Sequence, residues 1–173
     1  MADAQRIVVL GFETREGAQQ ALDAALRLQK EGKLLVRDAV FVHKDADGKR
    51  AHVQETVDQS TGSAALGGAF WGLLFGVILL VPIAGMAIGA GTAALVAKLT
   101  DTGIDDKFVK HLRDSIQPGW TYLALMVSHA DREAVLADLR RLRGIAELVD
   151  SSMPEEAVRQ VRDALADTTP AKA

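Results

Sequence analysis

Apolar and polar positions fall into three stretches along the chain. Up to about Asp58, short apolar runs alternate with polar turns; from Ala64 to Ala97 the polar positions vanish; beyond Thr100 the alternation returns. In the first stretch, Arg6–Phe12 is rich in β-branched residues and reads as a strand. Thr14 is placed to cap a helix running to about Lys30, with Ala18, Leu22, Ala25 and Leu26 on its apolar face and Gly32 as its stop. Leu34 to His43 predicts a second strand, Asp45-Ala46-Asp47-Gly48 a turn, and Arg50 to about Thr56 a third strand. The first flank is therefore β-α-β-β.

The last stretch predicts α-β-α-β-α. Ile104, Phe108, Leu112 and Ile116 recur every four residues, as on one face of a helix, and Asp105 and Asp106 lie at its positive end. Pro118-Gly119 stops that helix, and Trp120 to Val127 is an apolar strand. Ser128 and Asp131 have capping-box spacing before a helix that turns Ala134, Val135, Leu139 and Leu142 inward. Ile145 to Val149 reads as a short strand, and Ser152 with Glu155 opens a final helix carrying Val158, Val161 and Leu165. A sheet needs helices packed over it, and the two flanks satisfy that only when joined. Together they fit a ferredoxin-like βαββαβ α+β domain interrupted by the apolar run, with one of the two helices between the run and the last strand left over.

The middle is the unusual part. No Asp, Glu, Lys or Arg occurs between Asp58 and Lys98, and Thr92 is the one clearly polar side chain from Ala64 to Ala97. An amphipathic helix would show a polar face every turn, so this run is either buried all round or faces lipid. Pro82 divides it and marks the turn of a helical hairpin, because proline removes a hydrogen-bond donor and clashes inside a helix. Ala64, Gly68, Gly72 and Gly76 recur every four residues before the turn, and Gly85, Gly89, Ala93 and Ala97 after it. Each series forms a smooth stripe, a glycine-zipper pattern, along which another helix can approach closely. A hairpin returns the chain to the side it left, whereas one span would part the flanks. The expected organisation is residues 1–58 and 100–167 as the two halves of one domain, 59–99 as the hairpin, and 168–173 as a tail.

Composition narrows the function classes. The 173 residues hold 20 Lys and Arg against 23 Asp and Glu, a net charge of -3, so the concentrated basic face of a nucleic-acid binder is not expected. Cysteine is absent, which removes thiolate nucleophiles, disulfides and cysteine-based metal sites. The opening residues lack a basic segment feeding an apolar one, so no secretory leader is expected.

Gly67-Gly68-Ala69-Phe70-Trp71-Gly72-Leu73-Leu74, followed by Leu99-Thr100-Asp101-Thr102-Gly103-Ile104-Asp105-Asp106-Lys107-Phe108, resembles a bacterial family of uncharacterised proteins described as membrane proteins (domain of unknown function 1269). The likeness extends from roughly Leu34 to Leu165 and takes in the charged hairpin His43-Lys44-Asp45-Ala46-Asp47-Gly48-Lys49. It implies a membrane association and no transferable activity.

Candidate chemistry is sparse. His43, His52 and Asp45 lie around one turn but match no zinc spacing; His111 falls on a wet helix face, and His129 in a helix's first turn. Asp101, Asp105 and Asp106 are the densest carboxylate group and suggest an interaction rim beside the run, or simply a helix cap. Gly11–Gly17 lacks both nucleotide-loop patterns and reads as a strand-to-helix connection. Arg140, Arg141 and Arg143 form a basic cluster able to touch anionic lipid. No enzyme activity, metal or cofactor is expected. The reading is a homo-oligomeric protein of the inner membrane with a cytoplasmic domain, the hairpin serving as anchor or assembly element. The alternative is a cytoplasmic oligomer, a scaffold or cage, that buries the hairpins at its centre. Any small-molecule ligand is left open.

Overall fold

A computed structural model of the protein describes residues 5–48, 51–55, 71, 74–75 and 104–166. Its elements are β1 (Arg6–Phe12), α1 (Arg15–Lys30), β2 (Leu34–Lys44), β3 (Ala51–Glu55), α2 (Asp106–Ser115), β4 (Thr121–Ala130), α3 (Arg132–Arg141), β5 (Ala146–Ser151) and α4 (Glu155–Leu165). The strands form one antiparallel sheet in the order β3-β2-β4-β1-β5. β4, which follows the apolar run, lies between β1 and β2, which precede it. The two flanks are therefore halves of one sheet.

Both faces of the sheet are covered. On the first, Leu10 and Phe12 of β1 and Leu123, Leu125 and Val127 of β4 pack beneath α1, α3 and α4. On the second, Ile7, Val9, Val40, Val42, Tyr122 and Ala124 pack beneath Phe108, Leu112 and Ile116. Of the two helices between the run and the last strand, α2 is the one that supplies this third layer. Strands buried on both faces are nearly continuously apolar, which is why Trp120–Val127 shows no clean alternation. In β2 a register shift between Val36 and Asp38 changes the parity. Leu34 and Val36 before it, and Ala39 and Phe41 after it, all face the first core.

Several local expectations change. β4 extends to Ala130, so Ser128 is not a helix cap; its hydroxyl accepts from Arg37 Nε at 2.9 Å, and Asp131 caps α3 by accepting from Ala134 N at 3.1 Å. His129 lies near the end of that strand with φ 42°, not in a helix. β5 runs on to Ser151, two residues past the expected end. Ser152 does not cap α4, which starts after Pro154 without a side-chain cap. The Ser152 hydroxyl instead accepts from Ile7 N at 2.9 Å and anchors the start of β1, because the chain leaves β5 still hydrogen-bonded to its neighbour.

Two glycines mark close approaches. A β-carbon on Gly11 would lie 3.0 Å from Val149 Cγ2, and one on Gly17 3.0 Å from Ile145 Cγ2. The Gly11–Gly17 segment is a packed connection, with the Thr14 hydroxyl accepting from Gly17 N at 3.1 Å.

Candidate functional site

The apolar run enters the domain at the second face of the sheet. Trp71, Leu74 and Phe75 have helical backbone and are buried among Ile7, Val9, Val40, Val42 and the apolar side of α2. Positions 71, 74 and 75 share one helix face by their three- and four-residue spacing, and the Trp71 and Phe75 rings stack with centroids 6.1 Å apart. Ile104, on the far side of the run, is buried in the same core. Both ends of the segment from Gly76 to Gly103 are thus tied to one apolar layer.

Asp105 holds the return. Its carboxylate accepts from Phe108 N at 2.8 Å and caps α2, placing negative charge where the helix dipole favours it. Asp106 is the first residue of that helix. At the other end of α2, the Tyr122 hydroxyl accepts from Gln117 N at 2.6 Å and donates to Ser115 O at 3.3 Å, fastening the helix end to β4. Burial pushes the Tyr122 phenol above its usual range, against the lowering effect of the Gln117 bond. Of the other residues singled out in sequence, Ala64, Gly68, Gly72, Gly76, Pro82, Gly85, Gly89, Ala93, Ala97 and Asp101 lie outside the described residues.

The polar groups do not converge. His43 and His52 are directly opposed on β2 and β3. The His43 ring bonds Thr121 Oγ1 at 3.0 Å, whereas His52 Nε2 lies 3.3 Å from Asp45 Oδ1. Among the described residues, no three His, Cys, Asp or Glu side chains are grouped to hold a metal ion. Arg141 pairs with Asp138 at 3.2 Å, and Arg143 Nε donates to Ala164 O at 3.4 Å, so two of the three clustered arginines serve the fold.

One polar pair escaped the sequence reading. His111 of α2 lies 3.0 Å from Asp150 of β5, tying the second-face helix to the sheet edge. Burial raises the Asp150 carboxyl, and the bonds from His111 and from Ser151 N oppose the rise. The pair stands beside an open groove lined by Asp114, Trp120, Tyr122, Glu147 and Arg162. Its only sequence signal is an acid that follows Leu148-Val149, one residue past the expected end of the strand.

Among the described residues, no helix is long and apolar enough to cross a membrane. No curated protein and no solved structure matches the chain. A family does match, over residues 65–166, a span that takes in the apolar run, its return at Ile104 and everything from α2 to α4. By that match the chain belongs to the family of proteins of unknown function DUF1269.

Proposed function

We propose that this protein is a non-enzymatic homo-oligomer whose Gly/Ala-rich segment is the assembly element. The observation that carries the reading is the burial of Trp71, Leu74, Phe75 and Ile104 in one core of the same domain. The chain between these anchors leaves and rejoins one layer, which requires it to turn back.

Length then separates the two ways of covering it. About 28 residues lie between Phe75 and Ile104, and a turn at Pro82 leaves legs of about 6 and about 21 residues, or ~9 and ~32 Å at ~1.5 Å per residue. A bilayer's hydrocarbon core is ~30 Å thick. The legs suit contact with copies of themselves better than a double crossing. Gly85, Gly89, Ala93 and Ala97 all fall inside this span, at the spacing that lets helix backbones meet. An uncharged hairpin left in water would be an apolar patch of the kind that drives association.

The underlying domain, in this reading, is ferredoxin-like: β1-α1-β2-β4-α3-β5 supplies the βαββαβ unit, β3 is an added edge strand, and α2 is delivered with the inserted hairpin. The order β2-β4-β1-β5 within the sheet supports it. A non-enzymatic role is supported by the separate commitments of His43, His52 and His111.

A second reading has the hairpin enter one leaflet of a membrane with both flanks on the same side, and the lack of charge from Gly76 to Ala97 favours it. Preparation without detergent distinguishes the two. A monodisperse multimer that stays behind when liposomes are floated supports assembly through protein contacts. Flotation of the protein with the liposomes, as monomers, overturns it in favour of the leaflet.

A further inference from the structure

We propose that the first face of the sheet holds a binding site for a single unbranched hydrocarbon chain, the tail of a small amphiphile. A cavity of about 110 Å³ lies between α1, α3 and α4 and the sheet. It exists because α1 turns three alanines, Ala21, Ala24 and Ala25, toward the space, where larger side chains would close it. Val8 and Val127 help form its floor, and Leu139 and Val161 close it from the far side.

The lining decides the ligand class. Among the described residues, Asp138 is the one charged residue lining the cavity, and its carboxylate is already engaged by Arg27 at 2.7 Å and Arg141 at 3.2 Å. A buried water needs two to four polar partners, which this wall does not offer, and apolar cavities of this order take up small hydrocarbons. Shape then selects a chain over a compact ring. Ala130, Val135, Met153 and Val161 line both the cavity and a groove of about 350 Å³ between α3 and α4. The cavity and the groove share that wall, and the groove reaches the surface beside Arg132 and Glu156, which face each other at 3.5 Å. An apolar cavity walled off by movable side chains from a groove with a polar mouth fits a tail whose head group stays in solvent. The mouth carries one charge of each sign, so the tail supplies the recognition.

The test uses the full-length protein with decan-1-ol and decanoate, two probes with the same tail and different head groups. Expected is a saturable rise in the thermal unfolding midpoint with both, and intermolecular nuclear Overhauser effects from the probe chain to the methyls of Val135, Leu139 and Val161. Binding by decanoate alone would assign recognition to the carboxylate and overturn a tail-led site. Ala24→Leu, which fills the cavity, is expected to weaken binding at least tenfold while raising the midpoint of the unliganded protein. Val135→Phe serves as a second filling variant should Ala24→Leu fail to fold. An absence of Overhauser contacts in the wild-type protein below the probes' micelle concentrations, or equal binding by a folded, filled variant, overturns the proposal and leaves the cavity a packing void.

Discussion

Asp138 and Asp150 show how much a single carboxylate can hold in this fold. Asp138 is nearly buried on α3, and its two oxygens receive Arg27 of α1 and Arg141 of α3. Asp138→Ala removes both bonds and is expected to lower stability by about 1–3 kcal/mol in urea unfolding. Arg141→Ala, whose side chain is largely exposed, should cost about 0.5 kcal/mol or less. Asp150 behaves differently, because burial raises its carboxyl above the ordinary 3.8. The folded state then keeps its proton longer than the unfolded chain does. Its contribution is most favourable below about pH 3.8 and is lost as pH rises through the raised value. His111 and Arg162 face it and limit the loss. The stability of Asp150→Asn relative to wild type should therefore increase as pH rises from about 3.8 in urea titrations, and a pH-independent difference would contradict the assignment. Neither role was legible in sequence. Asp138 sits among the arginines of an otherwise ordinary polar helix face, and Asp150 follows the point where the apolar signal of β5 fades.

At the scale of elements, the periodic signals were the readable ones. Thr14 and Asp105 were correctly placed at helix starts because short polar side chains there satisfy free backbone N–H groups. Ser128 misled for the same reason: the residues that suit a cap also suit a strand end, and only the pairing of Ser128 with Leu35 decides between them. Asp131→Ala is expected to cost about 1 kcal/mol as the loss of a true cap. The apolar run was unreadable in a different way. Uniform apolar composition carries no face, so nothing in the sequence marked Trp71, Leu74 and Phe75 as belonging to the sheet. Their burial is a strong claim, and large-to-small changes test it. Leu74→Ala and Phe75→Ala are each expected to destabilise the domain by about 2–5 kcal/mol. Side chains facing lipid or solvent outside the domain would leave its unfolding nearly unchanged.

For the whole molecule, sequence supplied the order of elements, and the structure added the sheet order and the third layer. The joining of the flanks was inferable because neither could cover a sheet alone; the position of β4 between β1 and β2 makes that joining explicit. How deep the run is tied into the domain followed only from three-dimensional contacts. The oligomer account rests on the segment beyond Phe75 being covered by other copies, and sedimentation velocity without detergent tests it most directly. The comparison is between the full chain and a variant in which residues 77–102 are replaced by a Gly/Ser linker, with near-ultraviolet circular dichroism confirming that both retain a packed core. The account predicts a discrete multimer for the full chain and a folded monomer for the variant. A multimer of unchanged size after the replacement would contradict it.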